Sequence, residues 1–134
     1  MINKVNKNFL KSSHYINDLK LCSIRLIDNQ KFPWIILIPK RKNITDIYQL
    51  KKKDLNLLMQ EIALASKIMK KTFNAFNLNI EKIGNVVSQL HIHIIARKKK
   101  DSSWPFSVWV VKKKNYSKIN LEKIINKLKT AFII

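Results

Sequence analysis

Glycine occurs once in this chain of 134 residues, cysteine once and proline three times. Each scarcity excludes something. A lone cysteine, Cys22, rules out an internal disulfide and any multi-cysteine zinc site, and it fits a reducing compartment. No Gly/Ser- or Pro-rich stretch divides the chain and no internal repeat is visible, so residues 1–134 read as one domain. The most apolar run, residues 32–38, falls far below the roughly 20 residues needed to cross a bilayer. Residues 1–7, Met-Ile-Asn-Lys-Val-Asn-Lys, lack the apolar stretch of a signal peptide. The expectation is a soluble, cytoplasmic protein without a membrane partner.

Acidic residues are scarce as well: Asp and Glu number 8 against 27 Lys and Arg, a net charge of +19. Such a field attracts nucleic acid, acidic lipid or a polyphosphate ligand. Compositional drift towards Lys, Asn and Ile explains the same charge equally well, because nothing in the sequence gathers it on one face. The lysine runs 51–53, 98–100 and 112–114 read as solvated, with a secondary part in drawing polyphosphates in. What the chain does have is a globular composition, 46% hydrophobic and 9% aromatic.

Residues 1–20 are polar and carry no clear period. Residues 21–27 read as a strand, Asp28-Asn29-Gln30-Lys31 as a turn, and residues 34–38, closed by Pro39, as a second strand of the same hairpin. A helical turn near residues 46–50 precedes the main helix, which the pattern starts at Asp54 as N-cap and carries to about Phe76. Leu55, Leu58, Met59, Ile62, Ala65, Met69, Phe73 and Phe76 share one face of it, a stripe suited to packing on a sheet. Strands at 79–83 and 89–97 flank Gly84, and a short strand is expected at 107–111 before a C-terminal helix from about Asn120. Two hairpins around a long helix make an α+β domain with a mainly antiparallel sheet of about five strands.

The chemistry lies in Gln89-Leu90-His91-Ile92-His93-Ile94-Ile95-Ala96-Arg97. Alternation on a strand puts Gln89, His91 and His93 on one face and Leu90, Ile92 and Ile94 on the other, against the long helix. A metal site would need a third ligand, and His14, Asp28 and Cys22 have no obvious spacing to the pair. Phosphoryl chemistry uses such a pair differently, with one His attacking phosphorus while its neighbour donates to phosphate oxygens. Structural histidines fit the spacing equally well.

Gly84-Asn85-Val86-Val87-Ser88-Gln89-Leu90-His91-Ile92-His93-Ile94-Ile95-Ala96-Arg97 resembles the signature of the histidine-triad (HIT) family, His-φ-His-φ-His-φ-φ with φ hydrophobic. Gln89 stands at the first His, as in a bacterial subgroup, with His91 at the middle and His93 at the third. The resemblance takes in the 24–28 and 32–39 segments and Trp104-Pro105. It covers about 20–110 as a core and leaves about 111–134 as a C-terminal extension.

It implies a hydrolase or nucleotidyl transferase acting at a nucleotide α-phosphate, with a nucleotide or dinucleoside polyphosphate as the small-molecule partner. His91 would be the nucleophile that carries the covalent nucleotidyl group, and His93 would bond the phosphate or the leaving oxygen. Asp28 would grip the ribose, with Asn29 as the fallback, although turn chemistry accounts for Asp28 as well. Asn85 would touch phosphate, and Trp104 would line the site or that of a partner subunit. The resemblance also implies a homodimer with sheets continuous across the two-fold axis. No cofactor is required, and a divalent metal would enter only with a polyphosphate substrate.

Two departures stand out. Gln89 hydrogen-bonds but relays no proton. Trp34 occupies a position, five residues before Pro39, where many members carry another His. A binding-only HIT protein, serving as nucleotide sensor or scaffold, is the alternative. A nucleic-acid module is disfavoured, because the aromatics are not interleaved with the basic runs. Among the remaining residues, His14 reads as a surface residue, Cys22 as a small buried hydrophobe and Trp109 as a packing anchor. Arg97 reads as either a phosphate contact or a solvated strand end.

Overall fold

The computed structural model describes residues 5–133. Five antiparallel strands form one sheet in the order β1-β2-β3-β5-β4. Their ranges are β1 Ser13–Asp18, β2 Cys22–Ile27, β3 Trp34–Pro39, β4 Asn77–Glu81 and β5 Ile92–Arg97. Two of the interior strands, β3 and β5, are buried along their full length. Three helices accompany the sheet: α1 Lys7–Ser12, α2 Lys52–Phe73 and α3 Lys118–Ala131.

One face of the sheet is covered by α2. Leu58, Ala65 and Met69 of the helix share a core with Leu90, Ile92, Ile94 and Ala96, and Leu128 of α3 closes the same cluster. Alternation along β5 is the cause, since every second side chain of that segment meets the helix. The helix stops where Asn74 turns left-handed, at φ 48, and the next residue, Ala75, donates its N–H to Lys70. A buried carboxylate fixes the helix against the sheet. Glu61, 4% exposed, accepts the backbone N–H groups of Leu21 and Cys22, each at 2.8 Å. Those two donors satisfy a charge that would otherwise be costly to bury.

The structure departs from the sequence reading in several places. The featureless first 20 residues contain α1 and the edge strand β1. Helix α2 begins at Lys52, with Asp54 in its first turn paired to Arg41 at 2.7 and 3.0 Å, so Asp54 is not the N-cap. Met59 and Phe76, assigned to the core stripe, are 65% and 55% exposed. Residues 107–111 contain a 3₁₀ turn, Val108–Val110, capped by the Ser107 hydroxyl, and no strand. Strand β5 starts at Ile92, so Gln89 and His91 lie in the approach to it. No helix among the described residues is long and apolar enough to cross a membrane.

Candidate functional site

The sheet face opposite α2 carries a cavity of about 620 Å³. His91 and His93 project into it from β5 and its approach, and Trp34 and Ile36 from β3. Trp109 and the loop from Ile83 to Val87 form further walls. The lining is mainly apolar, and Lys113 is its one lysine or arginine among the described residues.

Both histidines are buried, at 7% and 4% exposure, and their ring centroids are 4.8 Å apart. Their hydrogen bonds differ in direction. A backbone carbonyl only accepts, so the 2.7 Å contact between His91 Nδ1 and the Gln89 carbonyl places a proton on His91 Nδ1. The Nε2 of that ring then holds a lone pair and has no partner among the described residues. An indole N–H only donates, so the 2.9 Å bond from Trp34 Nε1 makes His93 Nδ1 the acceptor. The neutral His93 ring therefore carries its proton on Nε2. Register explains the reach: Trp34 lies opposite Ile95 and Ile36 opposite His93, so Trp34 and His93 are diagonal neighbours.

Both rings are held neutral. Burial lowers the His91 pKa below 6.5, the Gln89 carbonyl works against that shift, and Lys82 adds to it. Burial, with His91 alongside, pushes His93 down to about 3. The result is one imidazole with a free lone pair beside another with a free N–H, and neither is charged at neutral pH.

The other candidate residues divide between the cavity and the rest of the fold. Asn29, 3% exposed, and Asn85 line the cavity. Asp28 does not. One of its oxygens meets His14 Nε2 at 3.1 Å and the other accepts the Tyr116 N–H at 2.9 Å. His14 is thus a partner of Asp28 and lies outside the cavity lining. The Gln89 side chain also faces elsewhere, accepting the backbone N–H of Asn6 at 2.8 Å. Trp104 is outside the lining and packs edge-on against Phe76, with centroids 5.5 Å apart. Arg97 is neither a phosphate contact nor a solvated strand end. It is 1% exposed and donates to Asp101, Asn79, Ser103 and the Phe106 carbonyl.

Two lining residues had no signal of their own in the sequence. Phe9 sits in α1, and its ring meets His91 edge-on at 4.7 Å. Trp109, read as packing only, lies edge-on to His93 and Trp34 at 5.5 and 4.9 Å while its indole N–H donates to Glu81. Among the described residues, no group of three or more His, Cys, Asp or Glu could hold a metal ion.

The HIT domain family profile matches residues 9–100. A histidine-triad protein from Sinorhizobium meliloti is 30% identical, with 96% of each chain covered and a TM-score of 0.91. One from Bradyrhizobium japonicum is 30% identical over 98% of each chain, at a TM-score of 0.93. A diadenosine triphosphate hydrolase from Plasmodium falciparum, 21% identical, shares the fold at a TM-score of 0.61, with 97% of this chain and 87% of that one covered. A search of curated proteins finds no match. With its paired histidines on β5 and the approach to it, and with these likenesses along nearly its full length, the chain belongs to the histidine-triad (HIT) domain family.

Proposed function

We propose that this protein is a nucleotide hydrolase or nucleotidyl transferase that works through a covalent intermediate on His91. The complementary protonation of the two rings is the observation that carries the reading. His91 Nε2 attacks the α-phosphorus with its lone pair, a P–N bond forms, and the bond to the leaving group breaks. His93 Nε2–H donates to a phosphoryl or leaving oxygen as charge gathers there. Water or another hydroxyl acceptor then attacks phosphorus and loses its proton to bulk water, while the P–N bond breaks and its electron pair returns to His91 Nε2. No cofactor is needed for these steps, and a divalent ion would enter only with a polyphosphate.

The apolar cavity suits a nucleobase, and the position of Asn85 in its wall supports a contact to phosphate. Asn29 takes the ribose role in place of Asp28: it lines the cavity and, with its Oδ1 accepting the Lys31 N–H, offers its amide N–H to a hydroxyl, whereas both Asp28 oxygens already have partners. A homodimer joined through the outer edge of β4 fits a sheet whose order ends on that strand. The single buried cysteine suits the cytoplasm.

The test is brief exposure to a panel of dinucleoside polyphosphates, nucleoside phosphoramidates and adenylyl sulfate, followed by mass spectrometry of acid-sensitive adducts. A nucleotidyl mass on His91 is expected. His91→Ala should abolish turnover while ground-state binding persists, and His93→Ala should slow it by roughly 10²–10³. An adduct on His93, or full activity without His91, would refute the mechanism. Tight binding with neither adduct nor turnover would leave a nucleotide-binding protein.

A further inference from the structure

Gln89 touches two things at once. Its main-chain carbonyl accepts from His91 Nδ1, and its side-chain Oε1 accepts the Asn6 N–H, 83 positions away in sequence. Asn6 caps α1: its side chain accepts the Asn8 N–H at 2.9 Å and its carbonyl accepts the Phe9 N–H at 3.0 Å. One turn into that helix, Phe9 is 3% exposed, packs with Ile36 and Ile38, and sets its ring edge-on to His91. The far end of α1 is anchored separately. The Ser13 hydroxyl donates to the Phe9 carbonyl, while Arg25 donates to the Ser13 hydroxyl and carbonyl at 2.7 and 2.9 Å.

We propose that Gln89 and Phe9 are positioning residues for His91: the Gln89 side chain latches the N-terminal segment, and that segment seats the Phe9 ring against the nucleophile. The proposal rests on the reading of His91 as nucleophile. An imidazole held only by the Gln89 carbonyl can still swing about that hydrogen bond, and the Phe9 edge removes this freedom. Attack needs the Nε2 lone pair aimed at phosphorus, and a small misplacement of a reacting atom is costly in rate. The position at which the family motif places its first His thus acts here through an acceptor oxygen turned away from the cavity.

Gln89→Ala and Gln89→Glu separate this role from a contact with substrate. Glutamate keeps an acceptor for the Asn6 N–H but loses the amide donor and adds a negative charge. Amide hydrogen exchange over residues 6–12 should speed up about 5- to 10-fold in Gln89→Ala and stay near the parent rate in Gln89→Glu. With a substrate from the panel above, Gln89→Ala should lower kcat about tenfold with KM changed less than threefold, and Gln89→Glu should recover most of that loss. Phe9→Leu keeps an apolar side chain and loses the ring edge, so it too should lower kcat more than it raises KM.

NMR titration of the His91 ring gives a readout independent of turnover. Phe9 supplies part of the burial that depresses the His91 pKa, so Phe9→Ala should move it up towards 6.5. His93, Lys82 and Lys113 are the other titratable groups bearing on this part of the cavity, and they are unchanged in that variant. Unaltered exchange in Gln89→Ala would overturn the latch, and so would an activity loss in Gln89→Glu as deep as in Gln89→Ala. Should exchange and titration behave as expected while the parent turns over no member of the panel, the latch stands and the nucleotidyl-transfer reading falls.

Discussion

Replacing Trp34 with Phe removes one hydrogen-bond donor and leaves an aromatic ring in its place. In the parent that donor sits 2.9 Å from His93 Nδ1, inside a site where both residues are buried, so water cannot readily replace it. A buried acceptor left unpaired costs about 1–3 kcal/mol. The indole also no longer fixes the tautomer, and a ring that moves its proton from Nε2 to Nδ1 presents a lone pair to the phosphoryl oxygens where it had presented a donor. Loss of one such donor costs roughly 10²–10³ in rate. The expectation is a fall in kcat of that order with a small change in KM, and a melting temperature lower by several degrees.

Trp34→His restores an N–H at that position and should recover part of the rate. Trp109→Phe is the control, because its indole N–H goes to Glu81 and to neither histidine. Single-turnover kinetics and thermal melts on the three variants decide the matter. If Trp34→Phe keeps its rate constant, or loses only substrate affinity, then the indole does not set the His93 tautomer and the argument fails.

Three further outcomes follow from the geometry. Asn29→Ala should lower affinity for a ribonucleotide by roughly 1–3 kcal/mol and erase any preference over the deoxy form, whereas Asp28→Ala should chiefly lower the melting temperature; calorimetric titration of both variants checks this. Both histidines are depressed in the folded state, His93 to about 3 from 6.5, so the unfolded chain binds more protons between those values. Stability should therefore fall as pH drops from about 6.5 towards 3 and stay level just above that window, while turnover persists at pH 6, where a free imidazole would be largely protonated. Denaturant melts and a pH–rate profile test the two halves, and stability rising as pH falls through the window would contradict the burial argument. Sedimentation at micromolar concentration should give about twice the chain mass, and a clean monomer would remove the dimer.

The parts of the fold legible in the sequence were those whose hydrophobic pattern has a single explanation. Residues 34–38 are apolar throughout because β3 lies inside the sheet, and 90–96 alternates because one face meets α2. Strand β1 hid because an edge strand with Asn17 and Asp18 carries little apolar signal, and its pairing with β2 is interrupted by an irregularity at Tyr15 to Asn17. Val108 to Val110 read as a strand from composition, yet the Ser107 cap and the chain's course over the sheet decide the conformation.

At the site, the sharing of a face by His91 and His93 was readable from spacing. Their protonation was not, since it depends on a tryptophan 59 positions away that meets His93 through the β3–β5 register. The family resemblance put Asp28 ahead of Asn29, yet Asn29 lines the cavity, because Asp28 is held by His14 and the Tyr116 N–H, neither of them nearby in the chain. Arg97 was not legible for a similar reason: its acceptors, Asn79 on β4 and Asp101, Ser103 and Phe106 in the loop after β5, come together only in the folded chain.

That buried guanidinium has a mechanical consequence. Four of its five hydrogen bonds moor the loop after β5 to the strand that carries His93, and the fifth reaches Asn79 on β4. The same loop continues to Trp109, which is pinned again by Glu81. Lysine could not stand in, because a single ammonium cannot span acceptors arranged around a planar fork. The wall on this side of the cavity and the proton donor on β5 therefore move as one body. Across the cavity, the leading end of α1 is held by the bond between Asn6 and Gln89 and by the packing of Val5 and Phe9 against Ile36 and Ile38. A ligand that must make room for itself will find the jaw braced by Arg97 harder to displace than the one formed by α1.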